Sequence, residues 1–218
     1  MPEKNLSELY TATLKQMDNL TDRQRTILEA ALNLFAEQGF EATTSAQIAQ
    51  RAGVAVGSVY QRFPNKKALL MAVLTPLNKT IFSQAADDFI SHTLSREYAT
   101  VGVFTQALVS DRMNFIQQNQ TELKVMMGQL LTDSELKEQI KETYRKRLLV
   151  TVAPTLDRFK NAGVMVDLPN DVIIQFILGP LASYFGKIIL GVAVRPIEEE
   201  INNTVKLLTA ALVPTGAK

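Results

Sequence analysis

Apolar side chains recur at intervals of three and four residues along most of this chain. Such spacing places them on one face of an α-helix, whereas a half-buried strand alternates apolar and polar residues. No segment carries a competing strand pattern. With 218 residues, of which 46% are hydrophobic, the chain can also bury a sizeable core. The sequence therefore predicts an all-α fold.

Start and stop signals mark the first two helices. Thr21 and Gln24 have the spacing of a capping box, in which each side chain accepts a hydrogen bond from the backbone N–H of the other residue. Gly39 then supplies the left-handed residue that commonly ends a helix. Thr44 opens a second, short helix in the same way, and Gly53 ends it. Later helices are predicted over 66–90 (bent at the proline), 97–118, 120–131, 133–161, 170–192 and 196–213.

A third short helix, from about Val56 to Phe63, is amphipathic. Its apolar residues fall within one arc of about 100° on a helical wheel: Val56, Val59, Tyr60 and Phe63. Its polar arc carries Gly57, Ser58, Gln61 and Arg62. The apolar arc can pack on the first two helices and leave the polar arc free to enter a DNA major groove. This order predicts a helix-turn-helix within residues 21–67.

The charge distribution supports a nucleic-acid partner. From Ala42 to Ala86 there is no Asp or Glu, although the net charge of the chain is only +1. A locally basic, acid-free segment suits a surface that faces phosphates. Chance, together with an apolar helix that excludes charge, would explain the same stretch.

The polar arc carries side chains that can read DNA. Gln61 can bond an adenine edge, Ser58 can serve either base type, and Arg62 can reach guanine or phosphate. Each alone is more often a solvated residue, but their order beside a glycine turn and basic ends favours DNA. Further candidates are Gly57 for close backbone approach, Tyr60 for a phosphate through its hydroxyl, and Thr44 and Lys66 at flanking helix starts.

The N-terminal segment resembles the DNA-binding domain of TetR-type transcriptional regulators. The resemblance covers about 50 residues, and its landmarks occur in order: FAEQGF, TT, IA, AGV, GSVY and FPNK. It implies that Thr44, Tyr60 and Lys66 contact phosphates. It also implies that Val56, Ser58 and Gln61 approach bases. Ala55 departs from the pattern, because the family often has a capping Ser there, and loss of a cap costs about 1 kcal/mol.

Two C-terminal stripes are candidates for a dimer interface. A palindrome is read by two helix-turn-helix copies, and the resemblance implies a homodimer. The first stripe consists of small residues, which allow another helix to approach closely: Gly179, Ala182, Ser183 and Gly186. The second is apolar: Ile201, Val205, Leu208 and Leu212, with Ile197. Both stripes could instead serve the core of a single chain.

The resemblance also implies a small-molecule effector, apolar or amphipathic, in the C-terminal helices. Met and aromatic side chains can line an adaptable pocket, although each is more often plain core. The candidates are Phe104, Met113, Met126, Met127, Tyr144, Phe176 and Tyr184. The expected domains are therefore an arm over 1–20, either flexible or a short extra helix, the helix-turn-helix over 21–67, an effector-binding and dimerisation domain over 68–213 and a tail over 214–218.

Other classes of function find little support in the sequence. One His and no Cys leave few catalytic triads or soft-metal sites, so we expect no enzyme, no cofactor and no metal. The stretch 172–194 is long and apolar enough to span a membrane, but Gln175, Pro180 and Lys187 interrupt it. A helix buried on nearly all sides in a soluble, cytoplasmic protein explains it better. We therefore expect a ligand-responsive regulator, with a small-molecule binding protein whose DNA head is vestigial as the alternative.

Overall fold

The computed structural model describes residues 5–130 and 133–214, apart from the side chains of Lys79, Glu135 and Gln139. Within these residues the fold is all-α, as predicted. The helices are α1 (Leu6–Gln16), α2 (Asp22–Gln38), α3 (Ser45–Arg51), α4 (Val56–Arg62), α5 (Lys66–Pro76), α6 (Phe82–Phe89), α7 (Val101–Gln118), α8 (Gln120–Leu130), α9 (Ser134–Glu142), α10 (Leu149–Asn161), α11 (Asn170–Ile189) and α12 (Ile197–Leu212).

Three π-helical turns interrupt the longer predicted helices. They are Leu77–Ile81, Ile90–Leu94 and Thr143–Leu148. The predicted helices 66–90 and 133–161 are therefore each several segments, and the one predicted from 97 begins at Val101. The first π turn directly follows Pro76, which has no N–H to donate to the helix ladder.

The chain folds into two compact units. The head unit runs to Ala85 and also includes Asn119–Lys137, whereas the C-terminal unit comprises Ala86–Gln118 and the chain from Glu138 onward. These limits differ from the predicted domains, in which the head ended at residue 67. The difference arises because α2 packs against both α5 and α8. The last four residues of the predicted tail lie outside the described part.

Residues 6–16 form a packed helix, which is the second of the two alternatives that the sequence left open. Leu6, Tyr10 and Leu14 are buried on one face of α1. The guanidinium of Arg25 in α2 donates hydrogen bonds to the carbonyls of Leu14, Lys15 and Met17 at 2.8, 3.3 and 3.2 Å. Arg25 thus satisfies carbonyl groups that the end of α1 leaves without helical partners.

The C-terminal unit is built around α7, which packs along α12. Phe104 and Leu108 of α7 are buried there with Leu156 of α10, Ile177 of α11 and Leu208 of α12. The Thr105 and Thr209 hydroxyls, 2.8 Å apart, join α7 to α12 within this apolar surrounding.

Helix α11 is not buried on nearly all sides, contrary to expectation. It is the one helix of the described residues that is long and apolar enough to cross a membrane, yet only 33% of its apolar window is buried. Ile173, Ile177 and Tyr184 face the core, while Phe176 on the other side is 50% exposed. The apolar run therefore serves two faces, of which the single chain covers one.

Candidate DNA-binding surface

Helix α4 presents most of its polar arc outward. Gln61 and Arg62 are exposed, Gly57 is exposed, and Ser58 is half-buried. Val59 and Phe63 are buried beneath them. Helix α4 packs against α3 and α2, which anchor this buried side. The side chains expected to read bases are therefore accessible.

The buried arc of α4 is narrower than its sequence pattern predicts. Val56 and Tyr60 were expected to pack inward, but they are 42% and 51% exposed. A helix as short as Val56–Arg62 makes room for only its deepest side chains against α2 and α3. The exposed Val56 methyl groups and Tyr60 ring are consequently available for apolar contacts such as a thymine methyl group.

Thr44 is exposed, and its hydroxyl is part of a local network. Its Oγ1 accepts a hydrogen bond from the Gln47 backbone N–H at 3.2 Å and donates to Gln47 Oε1 at 2.9 Å. The Gln38 amide donates to the same Oε1 at 3.1 Å. This capping box fixes the start of α3. The role of Gln47 follows from the capping spacing, whereas nothing in the sequence pointed to Gln38.

Lys66 is anchored within the head unit. Its Nζ donates to the carbonyl oxygens of Phe40 and Glu41 at 2.8 and 3.0 Å. The same ammonium lies 4.4 Å from the centre of the Phe40 ring and 4.0 Å from the Glu41 carboxylate. Lys66 therefore holds the loop between α2 and α3, a role that the sequence pattern did not suggest.

The surrounding charges differ in how far they are neutralised. Arg51 forms an ion pair with Glu37 at 2.6 Å, and its hydrogen bond holds the pKa of that carboxyl below the usual range. Arg62 makes a much weaker contact, a 3.5 Å hydrogen bond to the Asn19 carbonyl. Arg62 is therefore better placed than Arg51 to meet a phosphate or a base.

The start of α4 lacks a side-chain cap. Ala55 occupies the cap position with an extended backbone and makes no side-chain hydrogen bond. This agrees with the departure noted in the sequence. The first turn of α4 therefore has N–H groups without a side-chain acceptor.

The predicted effector residues are divided between the two units. Phe104, Met113 and Tyr184 are buried in the C-terminal unit, Tyr144 is half-buried and Phe176 is exposed. Met126 and Met127 belong to α8 in the head unit. An apolar pocket in the C-terminal unit is instead lined by Phe89, Leu94, Leu108, Leu148, Val152, Ile174, Ile177 and Leu178. No local sequence pattern points to these residues, because they are ordinary core types brought together from several helices.

The two predicted dimer stripes have different surroundings. Gly179, Ala182 and Ser183 of α11 are exposed, and Gly186 is half-buried. On α12, by contrast, Ile201, Leu208 and Leu212 are buried, and Val205 packs partly against the same core. The α12 stripe therefore belongs to the core of the single chain, because it is the side of α12 that meets α7. The outward side of α12 carries Leu207, which is 71% exposed.

Comparison with known proteins adds to this geometry. Residues 27–73 match the family model for bacterial regulatory proteins of the tetR family. The HTH-type transcriptional repressor KstR of Rhodococcus jostii is 33% identical over 90 residues, which are 41% of this chain and 42% of that protein. The nucleoid occlusion factor SlmA of Haemophilus ducreyi is 26% identical over 125 residues, which are 56% of this chain and 59% of that protein. The chain thus matches 42% and 59% of the lengths of these curated relatives.

A solved structure extends the likeness to most of the chain. The transcriptional regulator FadR from Bacillus subtilis, in complex with stearoyl-CoA, has a TM-score of 0.56 and 21% identity. The likeness covers 85% of this chain and 97% of that one. It is a likeness of fold.

Proposed function

Because the chain belongs to the TetR family of bacterial regulatory proteins, we propose that it is a ligand-responsive repressor of transcription. It binds a palindromic operator as a homodimer in the cytoplasm and is released by a small molecule. It is not an enzyme. The observation that carries the proposal is the outward polar arc of α4, where Gln61 and Arg62 are exposed while Val59 and Phe63 anchor the helix.

The residues proposed to contact DNA are the same as those predicted from the sequence, but some of them have different roles. Gln61 and Ser58 read base edges, and Val56 adds an apolar contact. Arg62 and Tyr60 meet phosphate or base, and Gly57 allows the backbone to come close. Thr44 and Lys66 mainly fix the α3 start and the loop before it, and they contact phosphate with whatever hydrogen-bonding capacity remains.

The proposed dimer uses the exposed side of α11. Gly179, Ala182 and Ser183 form a shallow surface that lets a partner helix approach closely, and Phe176 extends it with an aromatic ring. On α12 the contribution comes from Leu207 rather than from the buried stripe. A two-fold axis through such a surface gives a four-helix interface.

The proposed effector is a small apolar or amphipathic molecule bound in the C-terminal unit. The apolar pocket there supports this assignment. FadR, which has a similar fold, binds stearoyl-CoA, but the same ligand does not follow for this chain. Binding would change the equilibrium between two arrangements of the dimer.

Selection of DNA from a random pool tests the proposal. The full chain should enrich a palindrome, and its affinity for that sequence should fall steeply as salt rises, because bound Lys and Arg release counterions. Gln61→Ala should relax the base preference at one position in each half-site, with a loss of about 1–3 kcal/mol for the best sequence. Gln84→Ala, an exposed glutamine outside the helix-turn-helix, serves as the control. Equal enrichment profiles for the parent and Gln61→Ala would contradict the contact assignment.

One observation favours a second candidate, a small-molecule binding protein with a weak DNA head. Ala55 leaves α4 without a side-chain cap. If this candidate were correct, low-salt mobility-shift experiments on the DNA upstream of its own gene would give no shift, and selection would enrich no sequence.

A further inference from the structure

Three hydrogen-bond donors converge on the side-chain oxygen of Gln47 in α3. The Thr44 backbone N–H and the Thr44 hydroxyl donate to Gln47 Oε1 at 2.8 and 2.9 Å, and the Gln38 amide donates to the same oxygen at 3.1 Å. An amide oxygen has two lone pairs, so these three donors use all of its acceptor capacity. The oxygen of the Gln47 amide is therefore held towards Thr44 and Gln38.

The nitrogen of the same amide is left with two unused donors. In a planar amide the NH₂ group points away from the oxygen, and the oxygen of Gln47 is fixed by its three bonds. Gln47 is exposed, and its Nε2 forms no hydrogen bond with any of the described residues. Two N–H donors are thus presented at the protein surface in a set orientation.

Thr44 cannot supply such a donor while this network is intact. Its hydroxyl gives its single proton to Gln47 Oε1 and accepts the Gln47 backbone N–H at 3.2 Å. A phosphate oxygen needs a donor. The first helix of a helix-turn-helix, which is α3 here, crosses the DNA backbone. The Gln47 amide is therefore the donor that this turn of α3 can offer to a phosphate.

The other capping box of the head unit lacks this convergence. Gln24 Oε1 accepts the Thr21 N–H at 2.9 Å and has no second donor among the described residues. One such bond completes a capping box, and Glu serves as well as Gln at this position. The extra bonds from the Thr44 hydroxyl and Gln38 are therefore not needed for capping, and their effect is to orient the Gln47 amide.

We infer that Gln47 contacts a DNA phosphate through Nε2 and that Gln38 is a positioning residue that holds the amide in this orientation. The inference rests on the proposed function, because it adds a contact to the same DNA-binding surface. A phosphate contact contributes affinity and register but no base preference. Gln47 and Gln38 should therefore affect binding to all sequences alike.

Gln47→Glu tests the contact in the full chain. It keeps an oxygen for the capping box and replaces the NH₂ group by a second oxygen. Affinity should fall about tenfold or more for every DNA sequence alike, because a donor is lost and a negative charge meets the phosphate. The midpoint of urea unfolding should not fall, because the capping bonds remain. A merely structural role of Gln47 would instead leave DNA affinity intact.

Gln24→Glu is the matched control, since it makes the same change in the other capping box. It should keep the parental affinity for DNA. If Gln47→Glu binds DNA like the parent, or no more weakly than Gln24→Glu does, the contact is overturned.

Neutral methylphosphonates, placed one at a time in the selected DNA, locate the phosphate. At one position in each half-site the parent and Gln47→Glu should bind with nearly equal affinity, because neither the donor nor the added charge then meets a charged phosphate oxygen. A tenfold difference that persists at every position would overturn the assignment to a phosphate.

A double-mutant cycle tests Gln38. Gln38→Met removes the amide donor and should lower DNA affinity about threefold in the parent. It should cause no further loss in the Gln47→Glu background, because a carboxylate has oxygen on both sides and needs no orienting. An equal loss in both backgrounds would overturn the positioning role.

Selection of DNA by the parent chain separates this inference from the proposed function. If the parent enriches a palindrome and Gln47→Glu binds it with parental affinity, the Gln47 contact fails and the regulator function stands. If the parent enriches no sequence, both are overturned.

Discussion

Lys66 and Thr44 form hydrogen bonds within the head unit, so substituting either residue should affect the stability of the protein as well as DNA binding. The Lys66 ammonium bonds two loop carbonyls, and the Thr44 hydroxyl completes a capping box. The sequence identifies both residues by position but cannot reveal such partners. Every residue has a backbone carbonyl, so the sequence does not show which carbonyls bond to Lys66. That depends on how α2, α3 and α5 pack.

Lys66→Met should therefore lower the stability of the protein as well as its DNA affinity. The methionine keeps an apolar stem against Phe40 but cannot donate to the Phe40 and Glu41 carbonyls. We expect the free energy of unfolding to fall by about 1–3 kcal/mol, measured by urea denaturation. Affinity for all DNA sequences should fall alike. The neighbouring Lys67→Met, at an exposed position, should leave the stability unchanged; a similar loss in both variants would argue against the anchoring role.

Ala55→Ser should improve the start of α4. A serine hydroxyl at this position can accept a hydrogen bond from a backbone N–H of the first turn, which should raise the free energy of unfolding by up to about 1 kcal/mol. Mobility-shift titration should show tighter binding to every DNA sequence. Ala55→Val, which offers no cap, should give neither gain. If serine and valine behave alike, the missing cap has no bearing on the helix.

Helices α1, α2 and α8 enclose polar groups that the helical pattern could not predict. Tyr10 Oη and Glu122 Oε1 are buried and have no hydrogen-bond partner among the described residues. Asn119 is also buried, and its Oδ1 accepts the Leu6 N–H at 2.7 Å. Periodicity and capping signals predict where most helices begin and end. They carry no information on which helices meet, so the pairing of α8 with α2 became visible only in the structure.

Glu122→Gln should stabilise the protein, and more so at high pH. Burial raises the pKa of the Glu122 carboxyl. Burial, followed by the charges of Glu29 and Glu122, raises the pKa of the Tyr10 hydroxyl. No stability is lost below the unfolded-state pKa of Glu, where the carboxyl is neutral in both states. Between that pKa and the raised folded-state pKa, the unfolded parent has lost a proton that the folded parent retains, so the parent loses stability as the pH rises, whereas the glutamine variant does not.

Urea denaturation at a series of pH values measures this difference. The free-energy gap between Glu122→Gln and the parent should grow from pH 4 to pH 8. Glu8→Gln, at an exposed position of α1, is the control and should show no such trend. A gap independent of pH would mean that the Glu122 carboxyl has the same pKa in the folded and the unfolded protein.

At the scale of the whole molecule, the exposed side of α11 is the main feature that a single chain leaves uncovered. The small-residue spacing of α11 predicted an interface-like stripe, and the structure leaves three of its four residues exposed. The apolar stripe of α12 was predicted as part of the interface, yet it packs in the core of the chain. Apolar residues have the same helical periodicity on a core face and on an interface face. Sequence alone cannot tell which apolar side of a helix meets its own chain.

Gly179→Arg should separate the proposed dimer without disturbing the chain. A Cβ at Gly179 meets no atom within 4 Å, so the substitution fits the single chain. Sedimentation should show a monomer, and operator affinity should fall by about 100-fold or more because two heads no longer bind together. Gly128→Arg, at another helical glycine with open space, should remain dimeric. A dimeric Gly179→Arg protein would place the interface elsewhere.

The chain passes between its two units three times, at residues 85–86, 118–119 and 137–138. A fragment ending at Ala85 would contain every residue proposed to touch DNA, yet it would lack α8 and the Asn119 side chain that holds the start of α1. The face of α2 that α8 covers would be open to water. Such a truncated head should have a lower free energy of unfolding than the head unit of the full chain and should self-associate. A version in which a short linker joins residues 119–130 to the fragment should recover much of the lost stability.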